Sequence, residues 1–300
     1  VYKRQTVKYY FDTPSTGEKV KFKGTFPSDS MLKFSHTIKS ANIRNDQSYL
    51  YGAPYSQDRF GIGSLPSNRT DFIVKGSMHD PEYMLANEFY AFLRDSNFYI
   101  SGSAIGNRLL NQPKMIYDSL SLIFKHNGQS VLDIIKLTNE KSINLFAEGM
   151  LNLVGYKRNS FGSTKSGIRA VYKNFEGKVD LSGMDLKDGS GLSRKNAVSA
   201  RNFVNLLSYI HRSPLNETFR NTLAVAGKSG TLKNICRSQP ASGRMFAKSG
   251  TLSNVKAYAG FVKTITGKNL AFALIVNNFE GSRYQLVKKM ERIFNAMASY

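Results

Sequence analysis

The string Ala247-Lys248-Ser249-Gly250-Thr251 places an ammonium group, two hydroxyls and a glycine side by side. A lysine can neutralise a carboxylate, and it can move a proton when burial lowers its pKa. The glycine lets a substrate backbone approach the edge of a sheet closely. Because an apolar strand pair follows, the string predicts a substrate-facing sheet edge with Lys248 as its charged group.

A second copy of Lys-Ser-Gly-Thr occupies residues 228–231, upstream of the first. It continues into residues 233–237, whose composition is typical of a loop. The later copy leads into residues 254–262, which have the apolar and β-branched composition of a core strand. We therefore place the predicted site at the later copy.

The segment Ser142-Ile143-Asn144 is the second candidate, because it lies at a break between two predicted helices. The hydroxyl of Ser142 can pass a proton, and the amide of Asn144 can donate to and accept from a peptide-like substrate. A structural alternative is open, in which Ser142 or Asn144 caps the following helix and Glu148 lies near its positive end. On the tripeptide alone, the cap is the commoner interpretation.

The two segments occur in the order and type of two of the three active-site motifs of penicillin-interacting serine enzymes. The chain resembles in particular the D-alanyl-D-alanine carboxypeptidase/endopeptidase family, the low-molecular-weight penicillin-binding proteins with large inserted domains. The resemblance runs from about residue 80 to the C-terminus, and residues 63–66 and 72–80 resemble the end of the family's insert. A further match is the family's characteristic loop, here Asp188, Gly189, Ser190, Gly191, Leu192, Ser193 and Arg194. Another is the segment 230–232 followed by residues 247–252.

The resemblance implies a mixed α/β (α+β) fold, a serine-β-lactamase-like transpeptidase domain with a mainly antiparallel sheet flanked by helices. Residues 79–300 would form this domain, and residues 1–78 would be part of a β-rich inserted domain. In the site, Ser142 would relay a proton, Asn144 would contact the substrate amide, and Lys248 would act electrostatically and shuttle a proton. The residues implied to bind the terminal carboxylate of a D-Ala-D-Ala peptide are Ser249, Gly250 and Thr251.

The third motif of these enzymes is Ser-x-x-Lys, in which the lysine activates a nucleophilic serine one helical turn away. Two strings fit, at residues 30–33 and 253–256. The second lies on a predicted strand, where positions i and i+3 point to opposite faces, and the first lies in the β-rich region. We therefore expect the nucleophile, together with a signal peptide, upstream of residue 1, and expect the fragment to be inactive alone. The opening residues 1–5 resemble adapter read-through, so no structural role is expected for them.

The elements that must position these residues follow from hydrophobic periodicity and caps. Asp80 and Pro81 predict the start of a helix that ends near Asp95. The other predicted strands are 7–11, 19–26, 72–74, 114–117, 255–262 and 270–277, and the other predicted helices start near 130 and span about 144–154, 196–210 and 282–297.

The composition is that of a globular protein, with 41% hydrophobic residues and a formal net charge of +21. Such an excess of positive charge predicts an acidic partner such as nucleic acid, an anionic membrane surface or a wall polymer. The basic residues are scattered and no nucleic-acid motif is visible, so no nucleic acid is expected; a non-catalytic basic module that binds wall polymer or nucleic acid stays open as the alternative. No transmembrane segment is expected, because the longest apolar run is far too short to span a bilayer.

The four histidines are far apart and there is one cysteine, so neither a metal nor another cofactor is expected. The resemblance implies a serine-type hydrolase that acts on peptidoglycan D-Ala-D-Ala stem peptides through an acyl-enzyme. It also implies inhibition by β-lactams and a location in the periplasm or cell envelope.

Overall fold

Alternating apolar residues build two sheets in the first of the two compact units into which the chain divides, Val1–Lys125 and His126–Tyr300. The computed structural model describes residues 6–29, 31–106, 108, 121–122 and 124–300. The predicted strand at 114–117 and the serine at position 30 lie outside the described residues.

The first unit contains one antiparallel sheet of three strands, in the order β2-β1-β7, and one mixed sheet around β6. The strands are β1 (Thr6–Thr13), β2 (Lys21–Phe26), β3 (Lys33–His36), β4 (Lys39–Ala41), β5 (Gln47–Tyr51), β6 (Asp58–Pro66) and β7 (Arg69–Ser77). In the mixed sheet, β3 and β4 run parallel to β6, and β5 runs antiparallel to it. The predicted strands 7–11, 19–26 and 72–74 fall on β1, β2 and β7.

Helix α1 (Pro81–Asp95) begins and ends where the sequence predicts. Asp80 is its N-cap, and the carboxylate accepts a hydrogen bond from the amide of Tyr83 at 3.1 Å. Met84 is buried in the same core as Tyr9 and Phe11 of β1. This packing joins α1 to the core of the first unit. The domain boundary at 78/79, which the change in sequence texture indicates, stays a prediction.

The second unit is built on an antiparallel sheet in the order β11-β10-β9-β8. Its strands are β8 (Ala224–Val225), β9 (Met245–Leu252), β10 (Val255–Lys263) and β11 (Asn269–Asn277), and its helices are α2 (Val131–Lys141), α3 (Asn144–Asn159), α4 (Thr164–Phe175), α5 (Ala200–His211), α6 (Asn216–Arg220) and α7 (Arg283–Ser299). Phe294 of α7 packs on one face of the sheet, against Tyr258 and Phe272. Leu207 of α5 packs with Phe261 on the other face. The predicted helix–sheet arrangement is therefore present in this unit.

Four helices differ from the sequence expectation. Helix α3 continues to Asn159 rather than ending near residue 154, and α6 was not predicted. Helix α5 begins at Ala200 rather than near residue 196, because Ser199 and Asn202 form a reciprocal capping box that fixes its first turn. Helix α4 has no counterpart among the predicted elements. It packs closely on α3, since a Cβ atom at Gly167 would lie 2.2 Å from the carbonyl oxygen of Leu151.

Candidate active site

Ser142 lies in the break between α2 and α3, where its backbone is left-handed (φ 54°, ψ 55°). The N-cap of α3 is Ile143, which makes no side-chain cap hydrogen bond, and Asn144 is the first helical residue. The hydroxyl oxygen of Ser142 instead accepts a hydrogen bond from Lys248 Nζ at 2.7 Å. The break therefore leaves the Ser142 side chain turned towards β9, where the sequence expected a functional lysine.

Lys248 is half-buried on β9, and its ammonium makes two short hydrogen bonds. It donates to Ser142 Oγ at 2.7 Å and to the carbonyl oxygen of Ser249 at 2.6 Å. Burial, and next the positive charge of Lys256, lowers the pKa of Lys248 to about 8. A lysine with this pKa is mostly protonated at neutral pH, yet it can give up its proton at little cost.

Ser249 is 8% exposed and donates from its hydroxyl to Thr231 Oγ1 at 2.9 Å. Thr231 belongs to the upstream copy of Lys-Ser-Gly-Thr, in a short 3-10 helix over Gly230–Leu232. This turn lies against the end of α2, because a Cβ atom at Gly230 (φ +55°) would be 2.5 Å from the carbonyl oxygen of Glu140. The later copy was preferred for the site because the upstream one leads into a loop-like segment, so Thr231 was not predicted as a site residue, although residues 230–232 carry part of the resemblance to the family.

Gly250 and Thr251 form the exposed end of β9. A Cβ atom at Gly250 would meet only the Cβ of Ala257, at an ordinary contact distance of 3.6 Å. Packing within the protein therefore does not require a glycine at position 250. The space beside Gly250 is open to a ligand. Thr251 Oγ1 accepts a hydrogen bond from Lys256 Nζ at 2.7 Å, and Lys256 is a residue that the sequence analysis did not select for this site.

The loop that begins at Asp188 is held by two carboxylates. The Asp188 carboxylate accepts from the amides of Gly191 and Ser193 at 2.7 and 2.6 Å. Burial favours a higher pKa for Asp188, but a hydrogen bond from Asn196 and those backbone amides outweigh it, so the pKa is lowered. A second carboxylate, Glu148 of α3, accepts from the amides that follow, those of residues 189 and 190.

These contacts give the family loop a structural role. In the structural alternative Glu148 lies near the positive end of α3; in the structure it is the fifth residue of this helix, and its carboxylate accepts hydrogen bonds from the loop amides. Gly189 is tightly packed on α3, since a Cβ there would lie 2.7 Å from the carbonyl oxygen of Ala147. Ser190 is thereby held next to the first turns of α3, the helix that starts at Asn144.

The structure thus brings Ser142, Lys248, Ser249 and Thr231 into one hydrogen-bonded chain. Asn144, two residues after Ser142, is exposed. Within the described residues, no hydrogen bond joins Asn144 to Lys248. The second Ser-x-x-Lys string, residues 253–256, begins in the tight turn between β9 and β10. Asn254 in this turn has a left-handed backbone conformation.

Binding of a small peptide with a free C-terminal carboxylate is expected to weaken as the pH rises through about 8. Below this pH Lys248 is an ammonium that attracts the carboxylate, and above it the charge is lost. Calorimetric titration of the wild-type chain across this range, with Lys248→Arg as the matched variant, measures the effect. An arginine stays charged throughout, so a midpoint near 8 that persists in Lys248→Arg contradicts the assignment.

Comparison with known proteins gives a consistent result. The sequence model of the D-Ala-D-Ala carboxypeptidase 3 (S13) family matches residues 5–297. A D-alanyl-D-alanine carboxypeptidase from Actinomadura sp. (strain R39) is 30% identical over 225 residues, which cover 73% of this chain and 41% of the relative. The D-alanyl-D-alanine carboxypeptidase DacB of Haemophilus influenzae is 28% identical over 192 residues, which cover 60% of this chain and 40% of the relative. The chain therefore spans less than half the length of these two curated relatives.

The crystal structure of penicillin binding protein 4 (dacB) from Haemophilus influenzae, complexed with a β-lactam, superposes with a TM-score of 0.80. The match covers 99% of this chain and 70% of that one at 21% sequence identity, and it shows a shared fold. The fold class expected from the resemblance is thereby confirmed. No helix in the described part of the chain has the length and apolar character needed to cross a membrane.

Proposed function

The chain belongs to the D-Ala-D-Ala carboxypeptidase 3 (S13) family, and on this basis we propose that it is part of a serine-type D-Ala-D-Ala carboxypeptidase/endopeptidase acting on peptidoglycan stem peptides. The observation that carries the proposal is the 2.7 Å hydrogen bond from Lys248 Nζ to Ser142 Oγ. It joins two side chains 106 residues apart at the distance that proton transfer requires.

The first chemical step is acylation of a serine by the substrate. The serine oxygen bonds to the carbonyl carbon of the penultimate D-alanine, the peptide bond breaks, and the terminal D-alanine leaves as an amine. The leaving nitrogen needs a proton, and Ser142 is placed to give its own. Because an ammonium can only donate, Ser142 Oγ accepts from Lys248 and keeps its hydroxyl proton for the substrate. Lys248 then returns a proton to Ser142. The base that activates the attacking serine takes up that serine's hydroxyl proton, and passing this proton on restores the Lys248 ammonium. Water later hydrolyses the ester.

Binding of the substrate's C-terminus is the role that we propose for β9. The Lys248 ammonium attracts the terminal carboxylate, and the Thr251 hydroxyl donates a hydrogen bond to it. The Ser249 hydroxyl, which donates to Thr231 Oγ1 in the structure, turns its proton to the carboxylate when the substrate binds. Gly250 allows the peptide backbone to lie along the strand edge. Asn144 is exposed at the start of α3, two residues after Ser142, where its amide can bind the substrate's amide group.

We place the acylating serine outside these 300 residues. One of the two Ser-x-x-Lys strings ends in Lys256. The Lys256 ammonium donates a hydrogen bond to Thr251, so Lys256 is not available to activate Ser253. The other begins at Ser30, outside the described residues, and the rest of its string lies in the first unit. The chain alone is therefore proposed to be inactive, and the complete enzyme to work on peptidoglycan in the periplasm or cell envelope, inhibited by β-lactams.

Labelling with a fluorescent penicillin tests this proposal. The 300-residue chain is expected to remain unlabelled, whereas a protein extended by its upstream reading frame is expected to be labelled covalently. Labelling of the shorter chain that disappears in Ser30→Ala would put the nucleophile inside it. If the extended protein is neither labelled nor able to release D-alanine from a D-Ala-D-Ala peptide, the proposed activity is wrong.

A further inference from the structure

Lys256 is a buried cation that the mechanism above does not use. It lies on β10, its exposed fraction is 8%, and its ammonium is 4.7 Å from the centroid of the Tyr258 ring. Among the described residues, none of the carboxylates forms an ion pair with it. Burial, followed by the charge of Arg283, lowers the pKa of Lys256. A buried ammonium without a counter-ion is unfavourable, and an apolar side chain of similar length would avoid that cost.

The position of Lys256 in the sheet determines which residues its charge faces. Lys256 is paired with Thr251 across the β9–β10 hairpin, so the two side chains lie on the same face. Ser249, two residues before Thr251, shares that face, because side chains alternate along a strand. Lys256 therefore lies beside the hydroxyl-bearing end of β9, and its charge is felt at Lys248.

The hydrogen bond between Lys256 and Thr251 also determines which way the hydroxyl proton of Thr251 can point. The ammonium of Lys256 can only donate, so Thr251 Oγ1 accepts at 2.7 Å. The hydroxyl proton of Thr251 is then left to donate to a further acceptor. Thr251 is exposed, so this acceptor can be a ligand on the outer side of the strand.

We propose that Lys256 is a specificity-determining residue that selects ligands with a free C-terminal carboxylate, by orienting the Thr251 hydroxyl and adding a second positive charge behind it. This inference rests on the proposed function, because it takes the substrate's C-terminus to lie along β9. A neutral C-terminal amide gains little from either effect. Lys256 acts through Thr251 and through the local potential, without touching the reacting atoms.

Non-covalent binding to the 300-residue chain tests the inference. The ligands are N-acetyl-D-alanyl-D-alanine and its C-terminal amide, and calorimetric or NMR titration gives both affinities. We expect Lys256→Met to weaken binding of the free acid by about ten- to a hundredfold, the range of a lost charged hydrogen bond, and to change the affinity for the amide little. Lys263→Met, at an exposed position on the same strand, is the matched control and is expected to bind as the wild type does.

A second variant separates orientation from charge. Lys256→Gln keeps an N–H donor for Thr251 but removes the charge, so we expect an intermediate loss for the free acid. In both variants the midpoint near pH 8 assigned to Lys248 should move upwards, because a neighbouring positive charge has gone. A purely structural role of Lys256 instead predicts equal losses for the acid and the amide.

The outcomes are distinguishable. If the wild type binds the free acid and both Lys256 variants bind it equally well, this inference is overturned and the proposed function stands. Equal losses for acid and amide also overturn it, since they indicate a general disturbance of β9. If the wild type itself does not bind the free acid, the carboxylate site proposed on β9 is wrong and the inference fails with it, whereas the proposed activity is decided separately by the labelling of the extended protein.

Discussion

Replacing Lys248 with methionine is expected to lower kcat/KM for D-Ala-D-Ala peptide hydrolysis by about 10²- to 10⁴-fold in the enzyme that carries this chain. In the proposed mechanism the ammonium of Lys248 returns a proton to Ser142, to which it donates a 2.7 Å hydrogen bond. Methionine fills similar volume but offers no donor, so the proton relay and the attraction for the substrate carboxylate are both lost. The measurement is the rate of D-alanine release, with the acylation rate of a fluorescent penicillin as a second readout.

The chain contains its own control for this experiment, because Lys228 begins an identical tetrapeptide. Lys228 is exposed, so Lys228→Met is expected to keep activity close to that of the wild type. A similar fall in both variants would show that loss of positive charge anywhere on the surface is responsible. An active Lys248→Met enzyme would remove Lys248 from the mechanism.

Truncating Phe294 to alanine is expected to lower the free energy of unfolding by about 3–5 kcal/mol. Phe294 is completely buried, and its ring lies 5.2 Å from that of Tyr258 and 5.6 Å from that of Phe272. The substitution leaves a cavity between α7 and the sheet that the surrounding strands cannot fill. Urea unfolding monitored by circular dichroism measures the change.

Tyr284 is the matched control on the same helix, since it is 71% exposed. Tyr284→Ala is expected to change the free energy of unfolding by no more than about 0.5 kcal/mol. Equal effects of the two substitutions would contradict the packing assigned to α7. The same cavity lies behind Tyr258, which is paired with Ser249 across the sheet, so the loss of Phe294 is also expected to weaken ligand binding at β9.

Local elements of the fold were predictable because their causes lie within a few residues. Asp80 and Pro81 start α1, and Ser130 caps α2 through the amide of Asp133 at 3.1 Å, since a cap needs only a side-chain oxygen and the next turn's N–H. The apolar run before the turn at 266–268 predicted β10, and the run after it predicted β11. The packing of α1 was not predictable, because Met84 contacts a core whose strands are far away in sequence.

Part of the candidate site followed from side-chain type and order alone. Lys248 and Ser142 were selected by motif, and the structure joins them by a hydrogen bond. Thr231 and Lys256 were not selected, because a loop composition and a strand position describe only local backbone. Their roles depend on tertiary contacts, namely the hydrogen bonds of Thr231 with Ser249 and of Lys256 with Thr251.

The sequence by itself determined the chemistry available to this protein, namely lysine, hydroxyl and amide groups in a family-specific order. It also indicated the later of two identical tetrapeptides as the source of the lysine, and the starts of α1, α2, α3, α7, β10 and β11. Only the tertiary structure decided what each tetrapeptide contacts, since β9 carries Lys248 to Ser142 while the upstream copy brings Thr231 to Ser249. The physical reason is that hydrogen bonds and pKa values depend on distance and burial in space. Residues 106 apart acquire these only when the sheet and the α2–α3 break are packed together.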